Sequence, residues 1–230
     1  MKTSIPLFTA ILFCSLATQA QNATVHSGGT TFGIRAGVNF QNINGKDEND
    51  NKLSNDLITG FNIGVNAEIP VAAEFYFQPG LLFSTKGAKS NEVVLGQTIE
   101  STIRISYVEL PLNFLFKPAL GTGHMLLGFG PYVALGVGGK AKFEGAGSSI
   151  SRDVKFKKNV VSSDPEDVVY FKPLDAGANL VAGYEFSNKL SFQLNAQLGM
   201  VKINPSYEDA NNDKTSAKNT GFGLSVGYRF

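Results

Sequence analysis

The sequence predicts an all-β chain: eight antiparallel strands in up-and-down order, closed as a transmembrane β-barrel. Three observations predict it. The first is period-two alternation, clearest in Asn219 to Phe230 (NTGFGLSVGYRF), where Phe222, Leu224, Val226, Tyr228 and Phe230 fall on one parity and Gly221, Gly223, Ser225, Gly227 and Arg229 on the other. A strand with one apolar face ending in an aromatic is an aggregation hazard at a soluble edge, but fits as the closing stave of a membrane barrel. The second is that long and short connections alternate along the chain, as in barrels with short periplasmic turns and longer external loops. The third is composition: charged residues make up 17% against about 25% in soluble domains. No run approaches the ~18–20 apolar residues of a membrane-spanning helix, so a helical membrane protein is excluded and a barrel is not.

The 230 residues suffice for one large all-β domain. The 20 Lys and Arg balance 19 Asp and Glu, which gives no electrostatic reason to expect a nucleic-acid partner. Lys2, the apolar run Ile5 to Ala17 and the small-x-small site Thr18-Gln19-Ala20 read as an export signal over residues 1–20, cleaved near Ala20. Residues 21–30 form a polar linker and 31–230 the barrel domain. Cys14, the single cysteine, lies inside the signal behind bulky Phe13, which argues against lipidation there. The processed chain would then lack disulfides, a thiol nucleophile and any cysteine metal site.

Taken in order, the first strand covers Thr31 to Phe40, with Phe32, Ile34, Ala36, Val38 and Phe40 on one face. The second, Ile58 to Ile69, aligns Phe61, Ile63, Val65, Ala67 and Ile69, and the third, Glu74 to about Lys86, aligns Phe75, Phe77, Leu81 and Phe83. The fourth, Thr102 to Phe116, changes phase near Tyr107: Ile103, Ile105 and Tyr107 are apolar at odd positions, then Val108, Leu110, Leu112, Phe114 and Phe116 at even ones. A β-bulge near Tyr107 is the expected cause, with Pro111 just beyond it. Met125 to Gly139, Pro173 to Phe186, Leu190 to Ile203 and the terminal stretch complete the eight. Long loops are expected at 41–57, 87–101, 140–172 and 204–219, and short turns at 70–73, 117–124 and 187–189.

Alternation alone does not say which face points outward. The polar faces carry Gly, Ser, Asn and Gln with isolated charges rather than a dense Lys/Glu coat, which suits the filled lumen of an eight-stranded barrel. Candidate lumen ion pairs come from Arg35, Glu68, Arg104, Glu109, Asp175 and Glu185. Aromatics gather at the short-turn ends: Phe32, Phe75, Phe116, Phe186, Phe192, Tyr228 and Phe230 would form a periplasmic-side girdle. Tyr228 and Phe230 would also serve as a terminal assembly signal, read by the barrel assembly machinery.

Tyr107-Val108-Glu109-Leu110-Pro111-Leu112 resembles the Tyr-aliphatic-Glu-aliphatic-Pro motif of the PorT-like outer-membrane β-barrel family. Gly130-Pro131-Tyr132, Asp175-Ala176-Gly177, Gly183-Tyr184-Glu185-Phe186 and Gly227-Tyr228-Arg229-Phe230 are similar to further elements of it in the same order. The resemblance spans about Thr31 to Phe230. It implies a small barrel in the outer membrane, and it raises a role assisting protein secretion across that membrane.

Glu109 and Pro111 read either as a functional lumen feature or, as the rule on buried charges favours, as a carboxylate paired with Arg104 or Arg35. Catalysis fits poorly, because the only histidines are His26 in the linker and His124 at a short turn. Asp47 to Asn51 and Asp209 to Asp213 are acidic enough to suggest calcium, but lack full ligand spacing; no metal or cofactor is expected. Arg152, Lys155, Lys157 and Lys158 would meet lipopolysaccharide phosphates or simply be solvated. The expected protein is a monomeric, non-enzymatic outer-membrane barrel with a plugged lumen, acting structurally or through its external loops. A secretion component comes second and a narrow solute porin third, since eight strands enclose little free space.

Overall fold

A computed structural model describes residues 29–94, 96–145, 147–208 and 215–230. The export signal, Cys14, His26, most of the linker and the acidic stretch Asp209 to Asp213 lie outside the described residues. Eight long strands form the wall: β1 Thr31–Lys46, β2 Ile58–Ala72, β3 Phe75–Val94, β4 Gln97–Phe116, β5 Gly123–Gly145, β6 Leu174–Glu185, β7 Leu190–Gly199 and β8 Ser216–Arg229. Each pairs antiparallel with its sequence neighbours. β1 then pairs with β8 from Gly33↔Arg229 to Lys46↔Ser216, so the ladder closes on itself and no edge remains.

The alternation turns its apolar side outward. Phe32, Phe61, Leu81, Phe129, Leu180, Leu194, Leu224 and their parity mates are exposed on the outer wall. On β1 the belt runs from Phe32 to Phe40, nine residues, matching the roughly 9–11 tilted residues that cross a bilayer. The opposite parity faces a lumen in which Asn39, Gln78, Ser84, Asn113, Gln193 and Ser225 are buried. At the short-turn end, the outer wall carries rings in contact. Phe75 stacks on Phe116 at 4.8 Å, Tyr184 meets Phe186 edge-on at 5.0 Å, and Tyr228 meets Phe230 at 5.6 Å. The turns at this end are tight enough to place Glu74 and Lys189 at positive φ, 63° and 68°.

At the opposite end β1, β3, β4, β5 and β8 outrun their expected lengths, whereas β7 stops at Gly199, short of the expected Ile203. The segment 87–101, expected to be a loop, is a hairpin extension of β3 and β4 that pairs out to Val94↔Gln97 around Gly96 (φ 78°). β5 likewise extends to Gly145 and folds back around Gly147 into a strand Ser148–Phe156. Alternating Thr, Ile and Ser in these stretches satisfies strand geometry, but their charge gives them the composition of loops.

The bulge expected in β4 is a correction: the register shift at this height belongs to β5. Ser106 pairs with Gly138 and Tyr107 with Gly136, so the extra residue is Val137 of β5. β4 keeps a single phase, with Ile105, Tyr107, Glu109 and Asn113 all buried toward the lumen. Its apparent phase change marks a switch in what the lumen holds, from polar near the short turns to apolar toward the external end.

That apolar upper lumen is filled by the loops. Ile43, Ala88, Ile105, Tyr107, Tyr132 and Ala134 from the wall pack with Val154 and Phe171 of the long loop and Ile203 of the last loop. Val154 to Phe156 pair in parallel with Val169 to Phe171, and Ser206-Tyr207 with Asn159-Val160. Lys172 N donates to Ile203 O at 2.7 Å and Ile203 N to Ala217 O at 2.8 Å, tying both loops to β8. Gly136 is required here, because a Cβ at that position would sit 2.1 Å from the Phe156 ring. Gly136→Val is therefore expected to unseat Phe156 while leaving the wall closed. Limited proteolysis should then cut within residues 147–173 of the variant under conditions where the wild type is spared.

Candidate functional site

The lumen is the one place where these strands gather chemistry, and it is layered along the barrel axis. The layer nearest the short turns joins four strand ends. Glu68 of β2 lies 2.7 Å from Lys117, just past β4; Lys117 lies 3.0 Å from Glu185 of β6. Arg229 of β8 bridges the same two carboxylates and donates to Asn66 at 3.1 Å. Gln78 adds an amide donor to Glu68 at 3.1 Å. Two carboxylates and two cations thus compensate each other across the lumen, and the desolvation cost of each is offset by more than one partner.

Above it lies a small polar cavity of about 50 Å³ among Arg35, Asn39, Gln41, Asn62, Asn113 and Asn195. Arg35 donates to Asn195 at 3.3 Å, Asn195 to Ser225 at 2.8 Å, and Asn39 to the carbonyl of Thr85 at 2.9 Å. A space of this size and polarity suits ordered water, the usual partner of buried amides.

The next layer centres on Lys86, fully buried. Its ammonium sits 2.9 Å from Glu109 and 3.0 Å from Asp175, and 4.3 Å from the centroid of the Tyr132 ring. Asp175 also accepts from Asn219 at 2.9 Å and from the Tyr132 hydroxyl at 3.2 Å, while Gln197 donates to Glu109 at 2.8 Å. This layer holds one cation for two carboxylates; Arg35 lies below it, on the cavity that Glu109 also lines. The apolar packing of the loops covers it.

Of the expected lumen charges, Glu68 and Glu185 meet in the lower layer, Glu109 and Asp175 in the upper one, and Arg35 stands between. Arg104 is a correction: it has the outward parity, is exposed, and donates to the carbonyl of Thr59 at 2.7 Å. The cations that do the pairing, Lys86, Lys117 and Arg229, were not in the expected set. Their signal was parity: Lys86 shares it with Gln78 and Ser84, Lys117 with Glu109 and Asn113, Arg229 with Ser225. Phe32, Phe75, Phe116, Phe186, Phe192, Tyr228 and Phe230 all fall at the short-turn end of the outer wall, Phe116 half-buried and the others exposed.

The outer loops carry a second kind of polar structure. Asp47 accepts from the backbone N–H groups of Asn49 and Asn51, both at 2.9 Å, and from the Asn51 side chain, which hold its carboxyl below the usual range. Asp50 pairs with Lys46 at 2.8 Å, so this acidic loop is satisfied by its own groups. In the long loop Lys157 holds Asp164 at 2.6 Å, with the N–H of Val161 at 2.9 Å, and these contacts depress the Asp164 carboxyl. Arg152 donates to the carbonyl of Glu166. Lys155 is exposed, and His124 is exposed at the short-turn end. Among the described residues no cluster of three or more His, Cys, Asp or Glu is arranged to hold a metal.

Residues 19–205 match the model of a family described as outer membrane protein beta-barrel domain. The chain belongs to that family. Its place is the outer membrane, and the exposed apolar wall is the lipid-facing surface. Among solved structures it is similar to the attachment invasion locus protein Ail of Yersinia pestis, at 16% identity over 88% of this chain and all of the other, TM-score 0.38. It is similar to the Neisserial surface protein A at 9% identity with the same coverages, TM-score 0.43. A major outer membrane protein of Thermus thermophilus gives 15% identity, again over 88% and 100%, TM-score 0.45. The search of curated proteins gives no match.

Two outcomes follow from the site. Lys117→Met leaves Glu68 and Glu185 with Arg229 alone, and is expected to cost about 3–5 kcal/mol, read as a lower urea midpoint for the barrel refolded in detergent. Because the folded Asp164 carboxyl lies below its unfolded value, the Lys157–Asp164 contact contributes above the ordinary carboxylate range and is lost as pH falls through the folded value. Acidification should therefore loosen the long loop in wild type, read as amide exchange at residues 157–164, while Asp164→Asn should be loose already at neutral pH.

Proposed function

We propose that this is a non-conducting, non-enzymatic outer-membrane barrel that works through its external loops. The observation that carries the reading is the stacked closure of the lumen: two ion-paired layers drawn from strands on all sides of the wall, covered by an apolar cap of loop residues. An ion crossing would have to break buried pairs, which is costly in a dry lumen. The loops, by contrast, are tied to each other by backbone bonds into a shaped external surface. Of the basic residues on the long loop, Lys157 is engaged by Asp164, while Arg152, Lys155 and Lys158 are exposed and fit contact with lipopolysaccharide phosphates. Tyr228 and Phe230 at the end of β8 fit recognition by the assembly machinery, residues 1–20 an export signal cleaved near Ala20, and the closed ring a monomer.

The motif that resembles the PorT-like family has a role in the lumen itself: Tyr107 and Glu109 both point into the upper layer. It therefore lends weight to the barrel interior rather than to a secretion role. In planar bilayers the purified protein is expected to give no steady unit conductance. A stable open-channel current from the wild type would overturn the closed-lumen reading and favour a porin.

A further inference from the structure

The two stitched loops leave a cleft on the external face that the lumen does not use. Its volume is about 320 Å³, at the lower end of small-molecule sites. Val160, Val168, Tyr170 and Tyr207 line it, together with Glu166 and Glu208. The cleft is preformed: Tyr207 pairs in register with Val160, Glu208 N donates to Val160 O at 3.0 Å, and the Tyr170 hydroxyl donates to Pro165 O at 3.2 Å. Asp164 in the same wall is already held by Lys157. Among the described residues no salt bridge engages the Glu166 or Glu208 carboxylate; of the cations at this wall, Arg152 donates to the Glu166 carbonyl and Lys157 holds Asp164. Partial desolvation and the nearby Asp164 hold the Tyr170 hydroxyl above its ordinary range, with Lys157 acting in the opposite direction.

We propose that this cleft is a binding site for an organic cation with a short apolar stem, of the size of an arginine or lysine side chain. Apolar walls take the stem, the tyrosine faces attract the charge through their quadrupoles, and the carboxylates neutralise it. The same chemistry is offered by a free small molecule and by a basic residue of a polypeptide. The inference rests on the reading of the external loops as the working surface, and gives that surface a ligand class.

The test is calorimetry on the full-length barrel in nonionic detergent at low salt, with Nα-acetyl-arginine ethyl ester as probe and Nα-acetyl-citrulline ethyl ester as its uncharged counterpart. Methyl glucoside serves as a sugar control. Arginine ester is expected to bind at least about tenfold more tightly than citrulline ester. Tyr207→Phe should retain binding, while Tyr207→Ala and Glu208→Gln should each weaken it about fivefold or more. Unchanged far-UV circular dichroism and resistance to proteolysis would show that these variants remain folded. A glycyl-arginyl-glycine peptide separates the sources: tighter binding than the ester assigns a polypeptide partner, weaker binding a small molecule, and either upholds the site. No binding of arginine ester, equal binding of citrulline ester, preferential binding of the glucoside, or binding indifferent to both disruptive variants would overturn it. Conductance of the same preparation is read separately, so a leaky lumen and an empty cleft are distinguishable failures.

Discussion

Everything in this molecule follows from the closure of β8 on β1. In hydrocarbon an unpaired backbone group costs several kcal/mol, so the only admissible sheet is one with no edge. Closure then settles the side chains: apolar parity must face lipid, and whatever has the other parity must satisfy itself inside a tube too narrow for bulk water. The lumen is accordingly an exercise in compensation. Glu68, Glu185, Lys117 and Arg229 neutralise one another near the short turns; Lys86 sits between Glu109 and Asp175 farther up.

The change along the axis from ion pairs to apolar packing has a physical reason. Near the short turns the strands end against one another, and their termini can aim long charged side chains across the gap. At the other end the strands rise beyond the membrane, and the connecting segments fold back over the opening. Val154, Phe171 and Ile203 enter from these segments and meet Ile43, Ile105 and Tyr107 of the wall. The loops therefore belong to the barrel's core, and their outer face is held in a defined shape.

Much of this was legible in the residues. Strand number, the order of pairing, the outward apolar face and the alternation of turns and loops follow from period-two patterning, because one face of each strand meets lipid and the other does not. The carboxylates Glu68, Glu109, Asp175 and Glu185 stood out as isolated charges within polar parities. Lys86 and Lys117 did not, because each lies where the belt pattern gives way to a connection, and only an unbroken parity count across that boundary turns them inward. The bulge shows a further limit. The pattern break at Tyr107 reflects the apolar contents of the upper lumen, whereas the extra residue Val137 lies on β5 and leaves no mark on the alternation of β4.

The lower layer ties charge balance to closure of the ring. Glu68 belongs to β2, Lys117 follows β4, Glu185 closes β6 and Arg229 comes only with β8. Without β8, two acids share one base, and the open sheet has an uncompensated negative charge at its short-turn end. The counter-ion that completes the balance arrives with the same strand that seals the seam, so an incomplete ring is penalised twice and the finished one is favoured as a unit.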